Sequence, residues 1–240
     1  MLQQSRDKQQ KIRANFNKNI QSLTNEIKDC LNKSLLISKD FGGPSVYFHE
    51  QAIKEAREGK FLGDEHLKMI YAVLAAWGMH RMGETKTKIV DFREFQERIV
   101  DGMGKKLRGY KKAKTTFEEE GFDKIAKLIL DLEISTSTKR LVSASKALHH
   151  ILPDLVPPID RAYSIRFMKQ GKFNKKTITI SNEKWYAETF IEEMQLFYRN
   201  NKNTLDKFYE KRKGEDFITS IPKVLDNLII AFVKKHTPQA

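Results

Sequence analysis

Residues 143–167 read SASKALHHILPDLVPPIDRAYSIRF. Ala144, Ala147, Leu148, Ile151 and Leu152 recur at helical spacing around Lys146, so the first part of this stretch is an amphipathic helix. Pro153 ends it, because proline has no N–H to continue the ladder and its ring crowds the preceding turn. Val156-Pro157-Pro158-Ile159 then forms a stiff apolar turn, and Asp160 is placed to cap a further helix carrying Tyr163, Ile165, Arg166 and Phe167. Helix, turn and helix bring Lys146, His149, His150, Asp160, Arg161 and Tyr163 towards one corner, which makes that corner the first candidate for a site.

The same periodicity runs through the flanking sequence. Ile12, Phe16, Ile20, Leu23, Ile27, Leu31 and Leu35 trace one stripe along a long helix that ends near Lys39, before Gly42-Gly43-Pro44. Pro44 and Ser45 start a second helix that Gly59 ends. A third begins at Asp64 and continues through LKMIYAVLAAWGMHRM; its nearly all-round apolar middle predicts the central buried helix, with Gly78 allowing close packing. Further helices are expected over Phe92–Val100, after a Thr116/Glu119 capping box, after Ser181, around Leu205–Tyr209, and from Ser220 to near His236. Only Thr177-Ile178-Thr179-Ile180 alternates like a strand. The predicted architecture is all-α: one compact domain over 1–240, about eight to ten helices, a long N-terminal helix over 1–39, and at most one short β-hairpin near 172–180.

Charge and cysteine content bound the function. Lys+Arg number 44 against 31 Asp+Glu, a formal net charge of +13, which favours an anionic partner, nucleic acid and DNA first. The densest positive stretch is KKLRGYKKAK at 105–114, where Lys105, Lys106, Arg108, Lys111, Lys112 and Lys114 surround Tyr110. Phosphate contacts and a solvated helix face both account for it. Cys30 is the only cysteine, so an intrachain disulfide is impossible and a cysteine-based zinc site is excluded. MLQQSRDKQQK lacks the apolar core of a signal peptide, and Leu228–Val233 is too short to span a bilayer, so the expectation is a cytoplasmic protein without a membrane partner.

Most common chemistries find no support. None of His49, His66, His80, His149, His150 and His236 lies three or four residues from another, the spacing that puts two metal ligands on one helix face. No metal and no cofactor is expected. There is no Gly-x-Ser-x-Gly, and Gly102-x-Gly104 lacks both a third glycine and a preceding strand. Glu118-Glu119-Glu120 reads as dipole-complementing charge in a first helical turn. Lys146 and Asp160 remain: a lysine on an otherwise apolar helix can serve as an amine nucleophile, with an aspartate delivered opposite it. The alternative is that Lys146 reaches solvent and Asp160 only caps its helix.

Lys146-Ala147-Leu148-His149-His150-Ile151-Leu152 followed by Val156-Pro157-Pro158-Ile159-Asp160-Arg161 resembles the active-site region of helix-hairpin-helix DNA glycosylases, especially the archaeal 8-oxoguanine type. That resemblance implies DNA binding, Lys146 as the Schiff-base nucleophile at the sugar C1′, Asp160 as the assisting carboxylate, and base flipping into a pocket. The family's Gly-x-Gly hairpin precedes its lysine helix; here that position reads Val142-Ser143-Ala144-Ser145, and the hairpin-like sequence is Val100–Gly104, far upstream. Residues 77–83, WGMHRMG, together with 148–161 also resemble an uncharacterised family of helical microbial proteins, which adds Trp77, His80 and Arg81 to the candidate pocket. The reading from a different class is a non-catalytic helical module that binds nucleic acid or protein.

Overall fold

The computed structural model describes residues 2–41, 43–79, 89–170, 180–215 and 217–238. Among these residues the chain is all-α, with eleven helices and an isolated bridge between Ile89 and Ser135. In order they are α1 (Leu2–Asn25), α2 (Ile27–Ser34), α3 (Ile37–Phe41), α4 (Pro44–Arg57), α5 (Asp64–Ala76), α6 (Phe92–Ala113), α7 (Phe122–Asp131), α8 (Leu141–Ile151), α9 (Ser164–Lys169), α10 (Glu183–Arg212) and α11 (Ile221–His236). The strand-like run at 172–180 lies outside the described residues except for Ile180, as do His80 and Arg81.

The N-terminal stripe forms three helices rather than one. Its apolar face is continuous, with Phe16, Leu23, Cys30 and Leu31 all buried, but the backbone breaks at Glu26, whose N–H is shared between the carbonyls of Ser22 and Leu23. The Glu26 side chain meanwhile holds Lys235 and His236 at the end of α11. Side-chain period alone does not register such a break, because the stripe persists across it.

Two sequence boundaries shift in the opposite direction. Helix α6 runs unbroken through Gly102 and Gly104, so Val100–Gly104 is not a hairpin and the basic stretch 105–114 belongs to the same helix. Its Phe95, Ile99, Met103 and Leu107 form a buried stripe strong enough to outweigh the helix-weakening glycines. Helix α10 joins two expected helices into one of 30 residues, started by Asn182, whose side chain accepts from the Trp185 N–H, rather than by Ser181. Thr116 and Glu119 do bond, but they close a turn ahead of α7, which starts at Phe122.

The buried axis is α11, not α5. Every residue from Pro222 to Val233 is buried, whereas Met69, Tyr71 and Ala72 of α5 are only partly so. Helix α5 also stops at Ala76, because Gly78 takes a left-handed φ of 71° that terminates the helix; its role is conformational and no neighbour crowds it. Helix α11 packs on α2, α9 and α10, while α8 packs on α4, α5 and α7. Burying α11 on all sides also buries Lys223 and Asp226, two charged residues one turn apart on it.

Candidate nucleotide site at the start of the Pro-Pro corner

Local hydrogen bonds hold the corner at both ends. Ser145 Oγ accepts from the Ile159 N–H at 3.1 Å, tying the residue before Lys146 to the residue before Asp160. Asp160 Oδ1 accepts from the Tyr163 N–H at 2.7 Å, and Ser164 Oγ accepts from the Asp160 N–H at 3.1 Å. One carboxylate oxygen is thus used in the turn that leads into α9. The other faces α8: Asp160 Oδ2 lies 3.6 Å from Lys146 Nζ, the two side chains 23% and 13% exposed. Asp160 does not cap α9, whose N-cap is Tyr163 with no side-chain bond; one of its oxygens closes the preceding turn and the other pairs with Lys146. The start of α8 is capped from afar, since Glu183 accepts from the N–H groups of Arg140 and Leu141.

Lys146 Nζ also sits 5.2 Å from the centre of the Trp77 ring, a cation–π arrangement. Lys146, Asp160 and Trp77 line two cavities at once. The first, of about 370 Å³, is walled by Trp77, Pro158, Phe217 and Ile230 and floored by Lys223 and Asp226. The second, of about 280 Å³, is lined by Ser135, Ser137 and Ser143 with Lys139 and Arg161. Lys139, Lys146 and Arg161 outnumber Asp160 there, so this side is cationic and rich in hydroxyls.

Lys223 and Asp226 join the site from α11, far along the chain from α8. Their side chains are 5% and 9% exposed, and Lys223 Nζ donates to Asp226 Oδ2 at 2.6 Å while lying 4.9 Å from the Phe217 ring centre. Burial pushes the Asp226 carboxyl above the usual carboxylate range, with nearby Asp160 adding to the rise and Lys223 and Lys146 opposing it. Phe217 holds a left-handed φ of 59°, a costly conformation for a bulky residue that its packing against Lys223 and His49 accompanies. The sequence signal was present in IPKVLDNLIIAF, where two charges interrupt an otherwise apolar helix.

His149 and His150 do not line these cavities. Both belong to α8 and are fully buried, as are His49 and His66. The carbonyl partners fix the tautomers. His150 Nδ1 donates to Lys146 O at 2.7 Å, so its Nε2 accepts from His49 Nδ1 at 3.0 Å, and His49 Nε2 in turn accepts from Thr219 Oγ1 at 3.3 Å. His149 Nδ1 donates to Val156 O, and His66 Nε2 donates to His150 O while its Nδ1 accepts from the Leu62 N–H. Burial lowers the pKa of all four and keeps the rings neutral, that of His150 falling to about 3. These rings support the α8 backbone under Lys146 and are not ligands; among the described residues no group of three or more His, Cys, Asp or Glu could hold a metal ion.

The remaining predicted residues divide. Arg161 is exposed and reaches the second cavity, while Tyr163 contributes its backbone N–H and packs on the core. None of Lys105, Lys106, Arg108, Lys111, Lys112 and Lys114 lines either cavity. Lys106 pairs with Asp131, and Lys111 donates to Ala56 O, whereas Lys105, Arg108, Lys112 and Lys114 are exposed on α6 or at its end. Lys111 and Lys114 line a separate cavity with Arg57 and Asp154. No described helix is long and apolar enough to cross a membrane. Compared with known proteins, the chain matches no family model, no curated protein and no solved structure.

Proposed function

We propose that this is a DNA-binding protein with DNA glycosylase or abasic-site lyase chemistry, acting on a nucleotide withdrawn from the duplex. The observation that carries the reading is the Lys146–Asp160 pair, 3.6 Å apart and mostly buried where two cavities meet. In this reading Lys146 Nζ attacks the sugar C1′, the glycosidic bond breaks and the base leaves with its electron pair and a proton. The C1′–O4′ bond of the resulting aminal then opens, Nζ gives its proton to O4′, and a C1′=Nζ imine remains. Asp160 Oδ2 receives the proton the amine must shed before attack and returns it to the departing base, leaving the imine protonated. The exposed lysines and arginine of α6 supply contacts to the phosphate backbone.

Borohydride trapping on duplexes carrying lesions or an abasic site tests the chemistry. A covalent adduct is expected with the wild-type chain and none with Lys146→Gln. Absence of any Lys146-dependent adduct, together with no base release from the lesion duplexes, leaves a non-catalytic module. Binding is checked separately: Lys105→Glu with Lys112→Glu is expected to weaken duplex affinity on the order of tenfold and to flatten its salt dependence. Salt-independent affinity would remove the nucleic-acid reading.

A further inference from the structure

Lys223 and Asp226 form an ion pair more than nine-tenths buried, yet both side chains line the larger cavity. A buried pair of this kind contributes little to stability compared with apolar side chains of similar volume, because each charge loses its hydration. The pair is also only half used. Asp226 Oδ2 takes the one hydrogen bond from Lys223, and among the described residues nothing donates to Asp226 Oδ1. Lys223 Nζ has three hydrogens and this one acceptor. A donor and an acceptor therefore stand side by side, with Trp77 and Phe217 among the cavity walls for a flat ring.

Resting on the reading of this corner as the receptor of an extruded nucleotide, we propose that Lys223 and Asp226 recognise the lactam edge of a nucleobase. Lys223 Nζ donates to the ring carbonyl oxygen and Asp226 Oδ1 accepts from the adjacent ring N–H. Amidine-edged bases, adenine and cytosine, offer a ring nitrogen and an exocyclic amino group instead. The preference for a lactam has a chemical cause: its ring N–H is far more acidic than an exocyclic amino hydrogen, and its carbonyl oxygen carries two lone pairs. Both charge-assisted hydrogen bonds are stronger as a result. The neighbouring cavity, with Lys139, Arg161 and the serines, then receives the flanking phosphate, so that Lys146 and Asp160 stand between base and phosphate, where the sugar must lie.

The test is the emission of Trp77 in a Trp185→Phe background, titrated with inosine, uridine, adenosine and cytidine. Inosine and uridine are expected to quench saturably and to bind at least tenfold more tightly than adenosine and cytidine. Lys223→Met with Asp226→Leu removes both charges together, which keeps the fold from carrying one unpaired charge, and is expected to erase that preference. Equal binding of all four nucleosides, no saturable quenching by any, or a preference that survives the double substitution overturns the assignment. The titration needs neither DNA nor Lys146 chemistry, and trapping on an abasic duplex needs no base. Lactam selectivity with neither trapping nor base release therefore sinks the glycosylase reading alone, and trapping without selectivity sinks this one alone.

Discussion

The corner around α8 and the basic face of α6 hold charge under opposite conditions. At the corner four charges are partly or wholly out of water: Lys146, Asp160, Lys223 and Asp226 are paired, and the imidazoles behind them are neutral. On α6 the cations stand in solvent, and pairing there is incidental; Lys106 reaches Asp131, while Lys105 and Lys112 do not need a partner. Hydration decides the difference. An exposed lysine costs nothing to keep, so its presence says little, whereas a buried one must be compensated and its position is informative.

Acid should separate the two regions most strongly, because the fold keeps the corner's imidazoles neutral while the unfolded chain protonates them. His150 has an ordinary pKa of 6.5 when unfolded and about 3 in the fold. The unfolded chain therefore binds the extra proton first, and stability is lost as pH falls below 6.5. From pH 7.5 to 5 this ring alone forfeits about 2 kcal/mol. Burial shifts His49, His149 and His66 in the same direction, so they add to this loss. The carboxylates held low by lysines, such as Glu26 and Asp131, titrate below this window. Denaturant unfolding at the two pH values measures the change, and a stability that stays level between them would mean that the imidazole network opens to water.

How far the sequence could anticipate these regions depends on the range of the interaction. Lys146 and Asp160 are fourteen residues apart, joined by a helix and a Pro-Pro turn with little freedom, so their meeting was legible locally. Lys223 lies 77 positions after Lys146, and no local rule says which helix covers the corner. The His49–His150 bond spans 101 residues and has no local signature for the same reason. The all-α class followed from apolar period, yet the break at Glu26 and the continuity through Gly102 did not, because tertiary partners override local propensity at both places.

Next in size is the loss of one member of the buried pair. Lys223→Ala leaves Asp226 without its hydrogen-bond donor, in a place where burial already disfavours the carboxylate. The expected cost is about 3–5 kcal/mol. Lys223→Met with Asp226→Leu removes the unpaired charge and should fall well below the single substitution, or even stabilise. Denaturation midpoints of the two variants decide the matter; equal losses would mean that volume, not charge, sets the cost at this floor.

The smallest effect belongs to α6 and sharpens the contrast from its other side. Lys106 and Asp131 lie 3.2 Å apart, close to the spacing of the buried pair, but their side chains are 41% and 36% exposed. Water already solvates both groups, and Asp131 keeps Lys127 at 3.0 Å when Lys106 is removed. Coulomb attraction in high dielectric is weak, and ordering a long side chain offsets part of it, so Lys106→Ala should cost less than about 1 kcal/mol and less still in high salt. The same denaturation measurement applies. A loss as large as that from Lys223→Ala would show that proximity rather than desolvation governs these pairs, and the distinction between the two regions would collapse.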